Sequence, residues 1–198
     1  TANKKKLMEL NLKSVVGTSS YRREFQIKRI RPDIDCKLIR GNVDTRIKKL
    51  KEGIYDGIIL SYAGLKYLKF ENEISEIFSV NQIIPSAGQG IIALQCRVGN
   101  QEISSILKKI NDNETYYCIQ AERALLEAID GDCDTAIGGL AKLSNEKIIL
   151  KSELFSDDGK KKFEAQSSGH FKEAKEIGYK VGKELLKKAG SDFTKQGN

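Results

Sequence analysis

Ser14-Val15-Val16-Gly17-Thr18-Ser19-Ser20-Tyr21-Arg22-Arg23 changes character twice within ten residues. Ser14 to Val16 is a short apolar strand candidate. Gly17 allows a tight turn, and the hydroxyls of Thr18, Ser19 and Ser20 stand where a helix begins. Residues 21–31 read as that helix, with Phe25 and Ile30 as apolar contributors. Pro32 stops it, because the residue before proline disfavours the helical region. The rhythm then repeats. Residues 35–39 read as a second strand, Arg40-Gly41-Asn42 as a turn, and Val43, Ile47 and Leu50 recur at helical spacing until Gly53. Residues 55–61 read as a third strand and 63–68 as a short helix. This alternation predicts an α/β sheet with parallel strands.

Further along, residues 85–90 break the pattern and 91–97 read as another buried strand. A short helix follows over 103–110, and Asn111-Asp112-Asn113 marks a boundary of turn- and cap-forming residues. Residues 115–129 form a helix with Ala121, Leu125 and Ala128 along one face, and 131–139 a loop leading to a strand. Strands over 147–155 and 161–166 flank a hairpin turn at 156–160. Phe171, Ala174, Ile177, Val181 and Leu185 mark a last amphipathic helix, and 191–198 reads as a frayed tail. Helix, strands and helix predict a small α+β domain.

With 39% hydrophobic and 31% charged residues over 198 positions, the composition is that of a soluble globular chain. No apolar run approaches the roughly 18 residues that span a bilayer. The net charge is +7, and six of the eight arginines lie between Arg22 and Arg46. The planar guanidinium fork binds carboxylate or phosphate bidentately, so this clustering points to an anionic ligand. No aromatic stacking platform or nucleic-acid motif accompanies the charge. Four cysteines without CxxC spacing and a single histidine predict neither a zinc site nor a disulfide framework. Cys36, Cys96 and Cys118 sit in apolar surroundings and read as buried. Cys133 stands in a polar, glycine-containing loop, accessible but flanked by Asp132 and Asp134, which raise a thiol's pKa.

Two motifs converge on one anion site. In the first, backbone N–H groups and the helix dipole after Gly17 favour an anion, and Arg22 and Arg23 add two cationic forks in a first turn where the dipole disfavours them. In the second, Arg40 follows a strand and Arg46 lies one turn into the next helix. Ligands of open α/β sheets bind outside the carboxyl ends of the strands, which brings both arginines to the same mouth. On the residues alone, a non-catalytic small-anion-binding module of this fold class remains open beside an enzyme.

The chain resembles the porphobilinogen deaminase (hydroxymethylbilane synthase) family. The resemblance rests on Gly17-Thr18-Ser19-Ser20-x-Arg22-Arg23, Arg40-Gly41-Asn42-x-x-Thr45-Arg46, Ala63-Gly64-Leu65, Gly88-Gln89-Gly90, and Ala121-Glu122-Arg123-Ala124 with Gly131-x-Cys133. It implies the second and third domains of that enzyme without the first. The expected layout is a periplasmic-binding-protein type II-like α/β domain with a mixed sheet over 1–84, a hinge and returning strand over 85–111, and a small α+β domain over 112–198. The implied reaction adds four porphobilinogen units head to tail, each losing ammonia, onto a dipyrromethane cofactor joined by a thioether to Cys133. Thr18, Ser19, Ser20, Arg22, Arg23, Arg40, Gly41 and Arg46 would bind the acetate and propionate groups of the growing oligopyrrole. No catalytic residue is expected in this chain, since the family's aspartate lies in the first domain. The resemblance implies no metal, a first domain as partner, a monomeric whole protein, and a cytoplasmic or plastid location. Tyr67, and Asp132 where glycine is usual, depart from the family pattern.

Overall fold

Strand β1 (Val15–Gly17) is the centre of a parallel sheet ordered β2-β1-β3, with β2 (Asp35–Lys37) and β3 (Gly57–Ile58) as its neighbours. The registers Val16↔Cys36 and Val16↔Gly57 place β1 between the other two. Consecutive residues of a strand point to opposite faces, and this sheet uses both. Val16 packs with Ile27 of helix α1 (Tyr21–Ile30) and with Leu7 and Ile34. Val15 packs against the cluster of Ile39, Tyr55 and Leu50, the last from helix α2 (Val43–Lys51). The α/β layering with parallel strands is therefore present. The sheet is parallel throughout among the described residues, where a mixed sheet is the expectation. Its strands are shorter than the apolar runs suggest, because only two or three residues of each run find a neighbouring backbone. A third helix, α3, covers Tyr62–Tyr67.

The computed structural model describes residues 1–132 and 134–194. They divide into two units. The first holds Thr1–Ile84, Phe155–Lys162 and residues 134–136; the second holds Pro85–Asp132, Ile137–Leu154 and residues 163–194.

In the second unit, α5 (Asn113–Ile129) and α6 (Ala174–Ala189) lie against a sheet ordered β4-β5-β6, of β4 (Ile137–Ser144), β5 (Lys147–Phe155) and β6 (Lys162–His170). Asp112 caps α5 by accepting from the Thr115 N–H at 2.7 Å. Ile148, Leu150, Ser152 and Leu154 alternate inward along β5, and the one polar member donates its hydroxyl to the Gly138 carbonyl at 2.6 Å. The two helices approach closely because Gly178 and Gly182 face α5. A Cβ at Gly178 would land on the Ala121 carbonyl, and one at Gly182 would lie 2.5 Å from the Ala128 methyl. Strands β4 and β5 pair antiparallel through a two-residue turn, Asn145-Glu146, with φ of 48° and 61°. That left-handed pair matches the strand twist. The turn at 156–160 shows in the sequence through Asp157-Asp158-Gly159, whereas Asn145-Glu146 has no glycine to mark it.

Two expectations need correction. Residues 91–97 are not a buried strand: no ladder of the described sheets includes them, and Ile92 and Leu94 are 86% and 59% exposed. An apolar run becomes a strand only where another backbone takes its N–H and C=O groups. Helix α4 (Gln101–Ile110) follows, with Ile103, Ile106 and Ile110 exposed along it. Cys96, in the same segment, is only partly buried, as is Cys36. Of the expected frayed tail, Gly190–Asp192 forms a 3-10 turn, and residues 195–198 lie outside the described residues.

Candidate functional site

The loops leaving β1 and β3 carry the first arginine motif. Past β1, the Thr18 N–H extends the ladder to the Lys37 carbonyl at 3.0 Å. Thr18 is buried, and its Oγ1 accepts from the Ser20 N–H at 3.2 Å. Ser20 caps α1 through an Oγ that accepts from the Arg23 N–H at 3.4 Å, while Ser19 is exposed. Gly17 does not serve the turn read from the sequence. A Cβ there would sit 3.0 Å from the Tyr55 ring and 3.2 Å from Ile39 Cβ, so glycine is needed for close packing under that ring.

Arg22 is 5% exposed, and its Nη1 donates to the Ile84 carbonyl at 2.5 Å. Arg23 is half-buried, and its Nη1 donates to the Ile59 carbonyl at 3.2 Å, one residue past β3. Arg23 thus bridges from the end of β1 to the end of β3. In a sheet ordered β2-β1-β3 the connection from β1 runs to one edge and the connection from β2 crosses back to the other, so the strand order reverses between β1 and β3, the topological switch point. Burial lowers the Arg23 pKa, and the charge of Arg46 lowers it further. Two guanidinium groups from separate motifs therefore repel one another here, and an anion between them relieves that cost.

The second motif surrounds Gly41. Its φ of 117° lies in the left-handed region, and a Cβ would meet the Thr45 methyl at 2.9 Å. Only glycine suits that conformation. Arg46 Nε donates back to the Gly41 carbonyl at 2.7 Å, and Lys49 Nζ donates to the Arg40 carbonyl at 3.0 Å. Arg46 therefore supports the loop as well as lending charge to Arg23. The Arg40 side chain is exposed and makes no described hydrogen bond or ion pair. Arg31 belongs to a different arrangement. It grips Asp33 with two bonds of 2.7 and 2.6 Å and donates to the Leu7 and Leu10 carbonyls, so one of the six clustered arginines is structural.

Two further motifs meet in the second unit. Glu122 is 4% exposed, yet both carboxylate oxygens are satisfied: Oε2 accepts from the Gly88 N–H at 2.7 Å and Oε1 from the Ala141 N–H at 2.8 Å. Burial pushes its pKa up, and the two N–H bonds act against that. The Gly139 N–H donates to the Pro85 carbonyl at 2.9 Å, which fastens the same stretch a second time.

These motifs are those of a known family. Residues 1–105 match the family model described as porphobilinogen deaminase, dipyromethane cofactor binding domain, and residues 116–187 match the one described as porphobilinogen deaminase, C-terminal domain. The chain belongs to the porphobilinogen deaminase family. It is 41% identical over 183 residues to a porphobilinogen deaminase of Coxiella burnetii, covering 92% of this chain and 60% of that protein. A porphobilinogen deaminase of Syntrophobacter fumaroxidans is 38% identical over 186 residues, covering 94% of this chain and 60% of that protein. The one from Nitrobacter hamburgensis is 36% identical over 187 residues, covering 94% and 59%. The chain thus spans about 60% of the length of the curated relatives it matches.

Within this member of the family, Cys133 lies outside the described residues. The structure couples Arg23 with Arg46 and sets Arg22 on the same helix turn as Arg23. Two functional contacts are not signalled by the sequence. Gln26, one turn after Arg22, is a buried amide on a helix with few apolar residues. Glu122 stands within the motif at 121–124, and its pairing with Gly88 is not visible in the chain order. No helix among the described residues is long and apolar enough to cross a membrane.

Proposed function

We propose that this chain is the second and third domains of a porphobilinogen deaminase, with hydroxymethylbilane as the product of the whole enzyme. On this reading residues 1–84 form a periplasmic-binding-protein type II-like domain, 85–111 a hinge and returning segment, and 112–198 a domain bearing the cofactor cysteine. The observation that carries the reading is the Arg23–Arg46 pair at the switch point of a parallel sheet. A donor set of repelling guanidinium groups, beside the hydroxyls of Thr18, Ser19 and Ser20, fits a ligand rich in carboxylates.

A dipyrromethane joined to Cys133 would prime chain growth, with four porphobilinogen units added head to tail and ammonia lost at each. The residues of this chain do the holding. Arg23 and Arg46 take one carboxylate between them, Arg22 adds a cationic fork from the same helix turn as Arg23, and exposed Arg40 meets groups arriving from solvent. Each bond of a charged donor to a carboxylate contributes on the order of 1.5–3 kcal/mol. Acid–base chemistry at the aminomethyl carbon needs a group placed within hydrogen-bond reach. Glu24, the acid nearest Arg23 in sequence, is committed to Lys28 at 2.6 Å. Turnover is therefore assigned to the segment of the relatives that this chain does not span.

Porphobilinogen consumption by the purified chain, with and without the N-terminal domain of a relative, tests the division of labour. The chain alone is expected to be inactive and the mixture active; turnover by the chain alone refutes it. Intact mass on the cofactor-loaded mixture tests the attachment. The expected adduct disappears in Cys133→Ala, and an adduct on Cys36, Cys96 or Cys118 overturns the assignment.

A further inference from the structure

We infer that Gln26 is a positioning residue for Arg22. Gln26 is 4% exposed and spends both ends of its amide on one residue, 58 positions away in the chain. Its Oε1 accepts from the Ile84 N–H at 2.7 Å and its Nε2 donates to the Ile84 carbonyl at 3.1 Å. That is the pattern of one residue of a β-ladder, made by a side chain. The same carbonyl receives Arg22 Nη1 at 2.5 Å, so its two lone pairs are both used. Arg22 and Gln26 stand four residues apart on α1, on one helix face. Ile84 is thus an acceptor that aims the Arg22 guanidinium, and Gln26 holds Ile84 in place. Ile84 has little else to fix its peptide groups: it is followed by Pro85, which has no N–H to donate.

The geometry has a functional consequence that rests on the anion-site reading. Fixing Nη1 on a carbonyl sets the plane of the guanidinium, and a planar fork of fixed orientation suits a carboxylate. Released, Arg22 would lose that pre-orientation while keeping its charge.

The experiment uses the 15N-arginine-labelled chain and reads water exchange of the Arg22 and Arg23 guanidinium protons by NMR. Gln26→Met matches the length and removes both bonds; Gln26→Asn keeps an amide but is one methylene too short. In each, Arg22 is expected to exchange about tenfold faster or more, as loss of about one such bond implies. Arg23, bonded to Ile59 instead, should be unchanged. Should the Met variant not fold, the Asn variant carries the same readout. Unchanged Arg22 exchange, or equal acceleration of both arginines, overturns the assignment. A second arm titrates a synthetic dipyrromethane bearing acetate and propionate groups. Gln26→Asn and Arg22→Leu are each expected to weaken binding, and the double variant to bind no worse than Arg22→Leu alone. Additive losses would mean that Gln26 acts apart from Arg22, and so overturn the proposal. If Arg22→Leu leaves binding intact, the anion reading fails, while the exchange result still decides the role of Gln26.

Discussion

Replacing Glu122 by glutamine leaves the volume alone, so its effect reports hydrogen bonding and charge without a packing change. Both carboxylate oxygens accept backbone N–H groups, from Gly88 at 2.7 Å and Ala141 at 2.8 Å. A glutamine offers one oxygen and one NH2, so one of the two amides must face a donor. A buried polar group left unsatisfied costs about 1–3 kcal/mol. Relief from burying a charge offsets part of this, since burial is what raises the Glu122 pKa. A net loss of about 1–2 kcal/mol follows, or roughly 2–8 °C in Tm for a chain of this size. The loss depends on pH. Between the unfolded value near 4.5 and the higher folded value, the native state binds the Glu122 proton more tightly than the unfolded state. Wild-type stability therefore falls as pH rises through that window, and the variant lacks this slope. The deficit of Glu122→Gln is accordingly largest on the acid side. Urea unfolding at several pH values measures it, and hydrogen exchange identifies the amide, Gly88 or Ala141, that loses protection. Unchanged stability with both amides still protected would refute the argument.

Asp33→Asn removes the carboxylate that the Arg31 fork holds at a pKa of about 2. Because that pKa is depressed from 3.8, wild-type stability should fall on acidification from pH 3.8 towards 2, and urea midpoints of the variant should lack that limb. Gly178→Ala places a methyl on the Ala121 carbonyl, and denaturant unfolding should register about 1–3 kcal/mol of destabilisation; a neutral result would mean that α5 and α6 are not so close. Arg23→Leu should weaken binding of a dipyrromethane bearing acetate and propionate groups by roughly 10- to 150-fold in isothermal titration, with Arg46→Leu weaker in effect because that side chain is also committed to Gly41.

The elements themselves were legible in the sequence because each is decided by near neighbours. Ser20 caps α1 and Pro32 follows its end, Asp112 caps α5, and the inward alternation of β5 shows as Ile148, Leu150 and Leu154. The clustering of arginines about Gly17 and Gly41 was legible too, since those motifs are local. Ladders and buried polar contacts depend on residues far apart in the chain, and the tertiary structure alone decided those. Residues 91–97 have the composition of a strand and no ladder, because pairing depends on a partner that composition does not name. Arg31 looks like its neighbours in the sequence and differs from them only because Asp33 and the Leu7 and Leu10 carbonyls surround it. Gln26 and Glu122 are ordinary helical residues until Ile84, Gly88 and Ala141 arrive from 58, 34 and 19 positions away. A buried amide or carboxylate must be satisfied by whatever backbone lies beside it, and that neighbour is chosen by how the layers pack.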